Sequence, residues 1–198
     1  DCDIQDPSNL EGDRGPAAHD LTHVLSASFV VPLPFGAGKR FDSSNKVVNQ
    51  IIGNWQFNGI VSLDSGRRYD VHTDTVISNT NNVDGTERVN VIGDPHAGGT
   101  KIHPLNKDAF EDPDSFTFGT MGRNSLRADW NKNLDLSIFR SFSITESKRF
   151  EFRAEAFNAT NTPVFSAPNT NFHSHNFGVV SSTANTERQL QFGLKFYF

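Results

Sequence analysis

Strict alternation in four stretches, strands of about eleven residues, and links that are short on one side and long on the other predict the fold class. It is all-β: an antiparallel up-and-down sheet of about five long strands with long outer loops, forming a segment of a larger transmembrane β-barrel.

The first predicted strand lies near 21–34. Its odd positions read Leu21, His23, Leu25, Ala27, Phe29 and Val31, with Thr22, Ser26 and Ser28 opposite. The second, near 54–64, sets Trp55, Phe57, Gly59, Val61 and Leu63 against Asn54, Gln56, Asn58, Ile60, Ser62 and Asp64. The third, near 129–142, alternates Trp130, Lys132, Leu134, Leu136, Ile138, Arg140 and Phe142 with Asn131, Asn133, Asp135 and Ser137. The fourth, near 148–158, is ambiguous because Glu and Ala favour helix. A strand resolves it: Phe150, Phe152, Ala154 and Ala156 share one face, and Arg149, Glu151, Arg153 and Glu155 form a charge ladder on the other, whereas a helix would mix the two sets. The fifth, near 188–198, carries Leu190, Phe192, Leu194, Phe196 and Phe198 against Gln189, Gln191, Gly193, Lys195 and Tyr197.

The links 35–53 and 143–147 fall on one side of such a sheet, and 65–129 and 159–187 on the other. Lys46 to Ile52 reads as a short helical turn, and Arg67 to Thr73 as a continuation of the second strand past a Ser65-Gly66 turn. The long links are rich in turn-forming residues, as in Ser78-Asn79-Thr80-Asn81-Asn82-Val83-Asp84-Gly85. An eleven-residue strand spans roughly 36 Å, and at a tilt of about 45° it crosses about 26 Å, close to the ~25 Å apolar band of an outer-membrane barrel. Five strands cannot close. Two open edges in hydrocarbon would cost on the order of tens of kcal/mol, more than the stability of a domain. The rest of a barrel, or further copies, must complete the wall.

Composition narrows the alternatives. Hydrophobic residues are 35% of 198, yet 18 residues are Phe, so apolar surface is concentrated in a few bulky side chains. A net charge of -5 argues against a nucleic-acid partner. The single cysteine, Cys2, excludes a disulfide framework and a Cys-based metal site. No apolar run is long enough for a spanning helix, which leaves strands as the route across a membrane. The opening residues Asp1 to Asp6 lack the basic and apolar regions of a signal peptide, so the chain reads as mature, cytosolic or a piece of something longer.

Chemical candidates are sparse. His173 and His175, two apart on an extended backbone, could share a metal, but no third ligand accompanies them and solvated loop histidines are the competing reading. His19, His23, His72, His96 and His103 form no pattern. Asp84, Asp94, Asp108, Glu111, Asp112 and Asp114 lack the register of a calcium loop. Gly36-Ala37-Gly38-Lys39 lacks phosphate-loop spacing and reads as a turn; Gly119-Thr120-Met121-Gly122-Arg123 could hold an anion, the stronger reading being glycines that let the loop re-enter the barrel wall closely packed. Asn158-Ala159-Thr160 fits a glycosylation sequon. No catalytic constellation is present, so the expectation is a non-enzyme without a cofactor.

An ordered set of stretches carries a family resemblance. It begins with Asp13-Arg14-Gly15-Pro16, His23 to Pro34, Phe35-Gly36-Ala37-Gly38-Lys39-Arg40, Gly53 to Ile60 and Ser65-Gly66. It continues with Phe118-Gly119, Gly122-Arg123-Asn124-Ser125-Leu126-Arg127, Asn133 to Ser137, Phe152 to Asn158 and Phe192 to Phe198. The chain resembles the C-terminal end of a TonB-dependent outer-membrane receptor, of the subgroup whose N-terminus carries a carboxypeptidase-regulatory-like domain. The resemblance implies part of a plugged barrel of about 22 strands in the outer membrane of a Gram-negative bacterium. It implies uptake of a scarce, bulky nutrient, driven by a periplasmic energy-coupling protein that acts through the plug. The implied partners are outer-membrane lipid, the rest of the barrel with its plug, and the barrel-assembly machinery. That machinery would read Leu190, Phe192, Leu194, Phe196 and Phe198 as an assembly signal. The alternative is a soluble extracellular β-sandwich, a binding or adhesion module, which must hide its Phe rows between two sheets.

Overall fold

A computed structural model describes residues 4–73, 78, 80, 87–145 and 147–198. Cys2, Asp84 and most of the Asn-rich stretch from 79 to 85 lie outside the described residues. The chain divides into two compact units, one of residues 24–63, 132–163 and 186–198, the other of residues 1–23, 64–131 and 164–185.

The first unit is a five-stranded sheet. Its strands are β1 (Val24–Pro32), β2 (Trp55–Asp64), β7 (Asn131–Ser143), β8 (Arg149–Phe157) and β9 (Gln189–Tyr197), side by side in the order β1-β2-β7-β8-β9. Each lies within three residues of its predicted ends. The ambiguous fourth segment is a strand: β8 is antiparallel to β7 and β9 and faces Phe152 to Arg140 on one side and Leu194 on the other. The charge ladder explains the outcome, because only a pleat separates Phe150, Phe152 and Ala154 from Arg149, Glu151 and Arg153. β7 and β8 are joined by a tight turn, where Ile144 and Thr145 receive backbone hydrogen bonding at Lys148: the two N–H groups donate to its carbonyl at 2.9 and 3.1 Å.

The link from β1 to β2 holds the helix α1 (Lys46–Ile52), matching the predicted turn. Asn45 caps it, its side chain accepting from the N–H of Val47 at 2.9 Å, and Gly53 N–H closes the far end on Asn49 C=O at 2.9 Å. Ahead of it, Gly36 and Gly38 take positive φ and Phe35 bridges to Phe41, so the glycine-lysine stretch is a turn.

The second unit is built from the long links and the residues before β1. Among the described residues, regular structure here is limited to the two-residue ladders β3 (Arg68–Tyr69) with β6 (Leu126–Arg127) and β4 (Asn90–Val91) with β5 (Phe110–Glu111), and a single turn of 3-10 helix at Lys107–Ala109. Arg67 to Thr73 therefore does not prolong β2; its paired residues form a separate ladder with β6, because Tyr69 is drawn into a core. That core comprises Tyr69, Val71, Val89, Leu105, Ala109, Phe110, Met121, Leu126 and Phe172, with Phe177 packed against it. Phe110, Phe172 and Phe177 meet edge to face at 5.5 to 6.5 Å. The links are thus poor in secondary structure yet condensed. Their apolar residues stand singly among Asn, Gly and Asp without a period, so no local pattern announces the cluster.

Candidate functional site

Cross-strand register decides which side chains share a face. Leu136, Ile138, Arg140 and Phe142 of β7 lie opposite Ala156, Ala154, Phe152 and Phe150 of β8. Those in turn face Leu190, Phe192, Leu194 and Phe196 of β9. On β2, Gly59 lies between Phe29 of β1 and Leu136: a Cβ there would stand 2.3 Å from the Phe29 ring and 3.1 Å from Leu136. Phe29 and Phe57 rings meet at 5.6 Å, and Trp55 meets Phe152 edge-on at 6.0 Å. The apolar rows of all five strands therefore merge into one surface. Its β9 edge is open: Leu190, Phe192 and Leu194 are 64, 70 and 68% exposed. Exposed apolar area this continuous belongs against lipid or a partner, not water. Trp55, Phe142, Phe150, Phe196 and Phe198 gather toward the end of the sheet that carries the β7–β8 turn, as interfacial aromatics do.

The opposite face is polar and internally satisfied. Gln56 donates to Asn58 at 3.0 Å and Asn58 to Ser137 at 3.1 Å. Arg153 pairs with Glu151 at 3.3 Å and Glu155 at 3.8 Å, and its guanidinium lies 5.6 Å from the Phe139 ring centre. Glu151 stands opposite Lys195, and Arg149 lies over Tyr197 at 4.1 Å. A wall with hydrocarbon on one side and water on the other requires this division.

Arg140 breaks the apolar row, standing among Leu134, Leu136, Ile138 and Phe142. It is 3% exposed. The guanidinium lies 4.0 Å from the Phe142 ring centre and 5.8 Å from that of Trp55. Its Nη1 donates to the Ile51 carbonyl of α1, which also accepts from Trp55 Nε1 at 3.1 Å. α1 is thereby pinned to the apolar face by a buried cation.

In the second unit, segments far apart along the chain clasp one another. Arg88 donates to Asp13 at 2.5 Å and to the Met121 carbonyl at 2.9 Å. Asn124 donates to the Pro16 carbonyl at 2.8 Å, and Arg127 to Ser65 Oγ at 2.9 Å and the Gly66 carbonyl at 2.8 Å. Gly119 runs so close to the Arg88 carbonyl that a Cβ would stand 1.7 Å from it. Burial works against the charge on Asp13, but the hydrogen bond from Arg88 and the Asp6 N–H outweigh it and hold the carboxyl below its usual value. The hydrogen bond from Arg68 lowers Asp20, which Arg127 also reaches at 3.1 Å. Burial pushes the Tyr69 hydroxyl up to about 12. Glu87, 1% exposed, is held by Ser78 Oγ, by the Ser78 N–H at 3.1 Å and by Thr80 at 2.6 Å.

His173 Nε2 lies 2.9 Å from Asp112, and His175 is exposed. Among the described residues no three His, Cys, Asp or Glu form a metal-binding group. His23 stacks on Trp130 at 6.0 Å, and His72 joins its neighbours through its backbone. Asn158 of the sequon is 5% exposed and donates its amide to the carbonyls of Thr162 and Thr186, which leaves it unsuited to carry a glycan.

The family described as an outer membrane beta barrel domain matches residues 1–191. No curated protein and no solved structure matches the chain.

Proposed function

The chain belongs to the outer membrane beta barrel domain family, and from that premise we propose that its five strands are the C-terminal stretch of a TonB-dependent receptor barrel importing a bulky nutrient. Its place is the outer membrane. The observation that supports a wall is the single apolar surface shared in register by five strands, backed by a hydrogen-bonded, ionised face. A soluble sandwich would need a second sheet over the Phe rows. Beyond the five-stranded sheet, the ladders among the described residues are the two-residue pairs.

The receptor reading rests on the ordered set of stretches from Asp13 to Phe198. In it, the strand ending Leu194-Lys195-Phe196-Tyr197-Phe198 is the segment taken up by the barrel-assembly machinery. The rest of the barrel pairs with the free edges of β1 and β9, and the periplasmic energy-coupling protein acts through the plug. No catalytic step belongs to this role. The test is growth of a deletion strain on a panel of nutrients too large for general porins, with and without a protonophore. A defect confined to one such nutrient, and reproduced in the parent strain by de-energising the inner membrane, is the expected result. Normal uptake of every solute would sink the transport reading while leaving the wall intact.

A further inference from the structure

We infer that the link between β1 and β2 is a membrane-interface anchor: α1 and its approach lie in the headgroup layer beside the sheet's apolar face and bind anionic phospholipid. The inference rests on the barrel-wall reading. Trp55 and Arg140 both stand on the apolar face, and both donate to Ile51 C=O, so the end of α1 sits over that face and not over the polar one. Arg140 lies three residues inside the end of β7, roughly 10 Å along the strand at about 3.3 Å per residue. That depth is where a cation can reach the interface instead of the hydrocarbon centre.

The outward side of the link is apolar although nothing in the sheet unit covers it. Val47 and Ile51 are 64 and 62% exposed, and Phe41 is 49% exposed. Its charges are one-sided as well. Lys39, Arg40 and Lys46 are exposed cations, while the one carboxylate among them, Asp42, is already engaged by the Gly38 N–H at 3.1 Å and the Asn49 amide at 2.5 Å. These cations are exposed, Arg40 lying 5.6 Å from the Phe41 ring centre, beside a helix whose end sits on the lipid-facing surface. This is the composition of a segment lying in the plane of a bilayer, greasy toward the acyl chains and basic toward phosphate. The turn at Gly36 and Gly38 fits the same role, folding Phe35 onto Phe41 at 5.2 Å so that both rings travel with the helix.

The test places a fluorophore on Val47→Cys in the full-length protein with Cys2→Ser, reconstituted in phosphatidylethanolamine–phosphatidylglycerol vesicles. Nitroxide lipids quench it either near the headgroup or at mid-chain. Phe192→Cys reports the lipid-facing sheet and Glu151→Cys the opposite face. The expected result is about twofold stronger quenching of the Val47 label by the headgroup-level nitroxide than by the mid-chain one. Replacing phosphatidylglycerol by phosphatidylcholine should weaken that quenching, and Lys39→Gln, Arg40→Gln and Lys46→Gln together should abolish the difference. A Val47 label that no lipid quenches, beside a Phe192 label that is quenched, overturns the anchor and spares the barrel wall. The same holds if the Val47 labels of two copies report close approach to each other. If the Phe192 label is unquenched, the wall fails and the anchor with it.

Discussion

At the residue scale, single side chains decide whether condensed links are possible at all. The Asp13–Arg88 pair is nearly closed to solvent, and removing one partner of such a pair strands the other charge. Asp13→Ala should cost about 3–5 kcal/mol, read by urea unfolding of a Trp55→Phe background in which Trp130 is the remaining tryptophan. The sign of its pH dependence follows from the lowered pKa: the contribution is complete above the ordinary value of 3.8 and is lost as pH falls through the lower folded value. Acidification should therefore lower the stability of the wild-type unit, and Asp13→Asn should flatten that slope. Gly119→Ala meets the Arg88 backbone instead of a movable side-chain tip. It should destabilise the same unit by ~3 kcal/mol, the upper end for overpacking, with Gly38→Ala, where a Cβ meets open space but φ is +70, costing less.

At the element scale, the two faces of β9 should respond differently to charge. Phe192→Arg puts a cation among Ala154, Leu194 and Leu190 on the exposed apolar surface, whereas Gln191→Arg stands opposite Glu155 on the polar one. For a strand in a bilayer, the first should lose about 2–4 kcal/mol and the second about none, measured by denaturant titration of folded protein in vesicles. The terminus is a separate matter of assembly. Phe198, 94% exposed and stacked on Phe196 at 6.2 Å, contributes little packing. If Phe198→Asp leaves normal amounts of the complete protein in the outer membrane, the proposed assembly signal is placed wrongly; depletion is expected. For α1, Arg140→Met with Trp55→Phe removes both donors to Ile51 C=O. Two hydrogen bonds of about 1 kcal/mol each correspond to roughly thirtyfold faster local opening, visible as faster amide exchange across residues 46–52.

On the scale of the whole molecule, the five-stranded sheet is open and its outer strands present unpaired backbone along β1 and β9. In hydrocarbon those groups must be satisfied by neighbouring strands, because water is not there to do it. The complete protein should therefore resist alkaline carbonate extraction and stay in the outer-membrane fraction until detergent is added. Release by carbonate alone would contradict membrane integration.

Alternation was enough to locate the strands and sort their faces, since a pleat sends successive side chains to opposite sides and a lipid-water boundary imposes the same two-residue rhythm on the sequence. The helical turn at Lys46 to Ile52 is set locally, bounded by the Asn45 cap and Gly53. Of the two glycines expected to pack closely, Gly119 does so, though against the Arg88 backbone and not the barrel wall, whereas Gly122 meets Ser125 only at an ordinary 3.6 Å. What only tertiary structure decided are the relations between residues far apart along the chain. The core of Tyr69, Val89, Phe110 and Phe172, the separate β3–β6 ladder and the Asp13–Arg88 pair have no period to betray them. Arg140 likewise reads as a flaw in an apolar row until folding brings the Ile51 carbonyl within reach, because a buried charge takes its meaning from its partner and not from its place in the sequence.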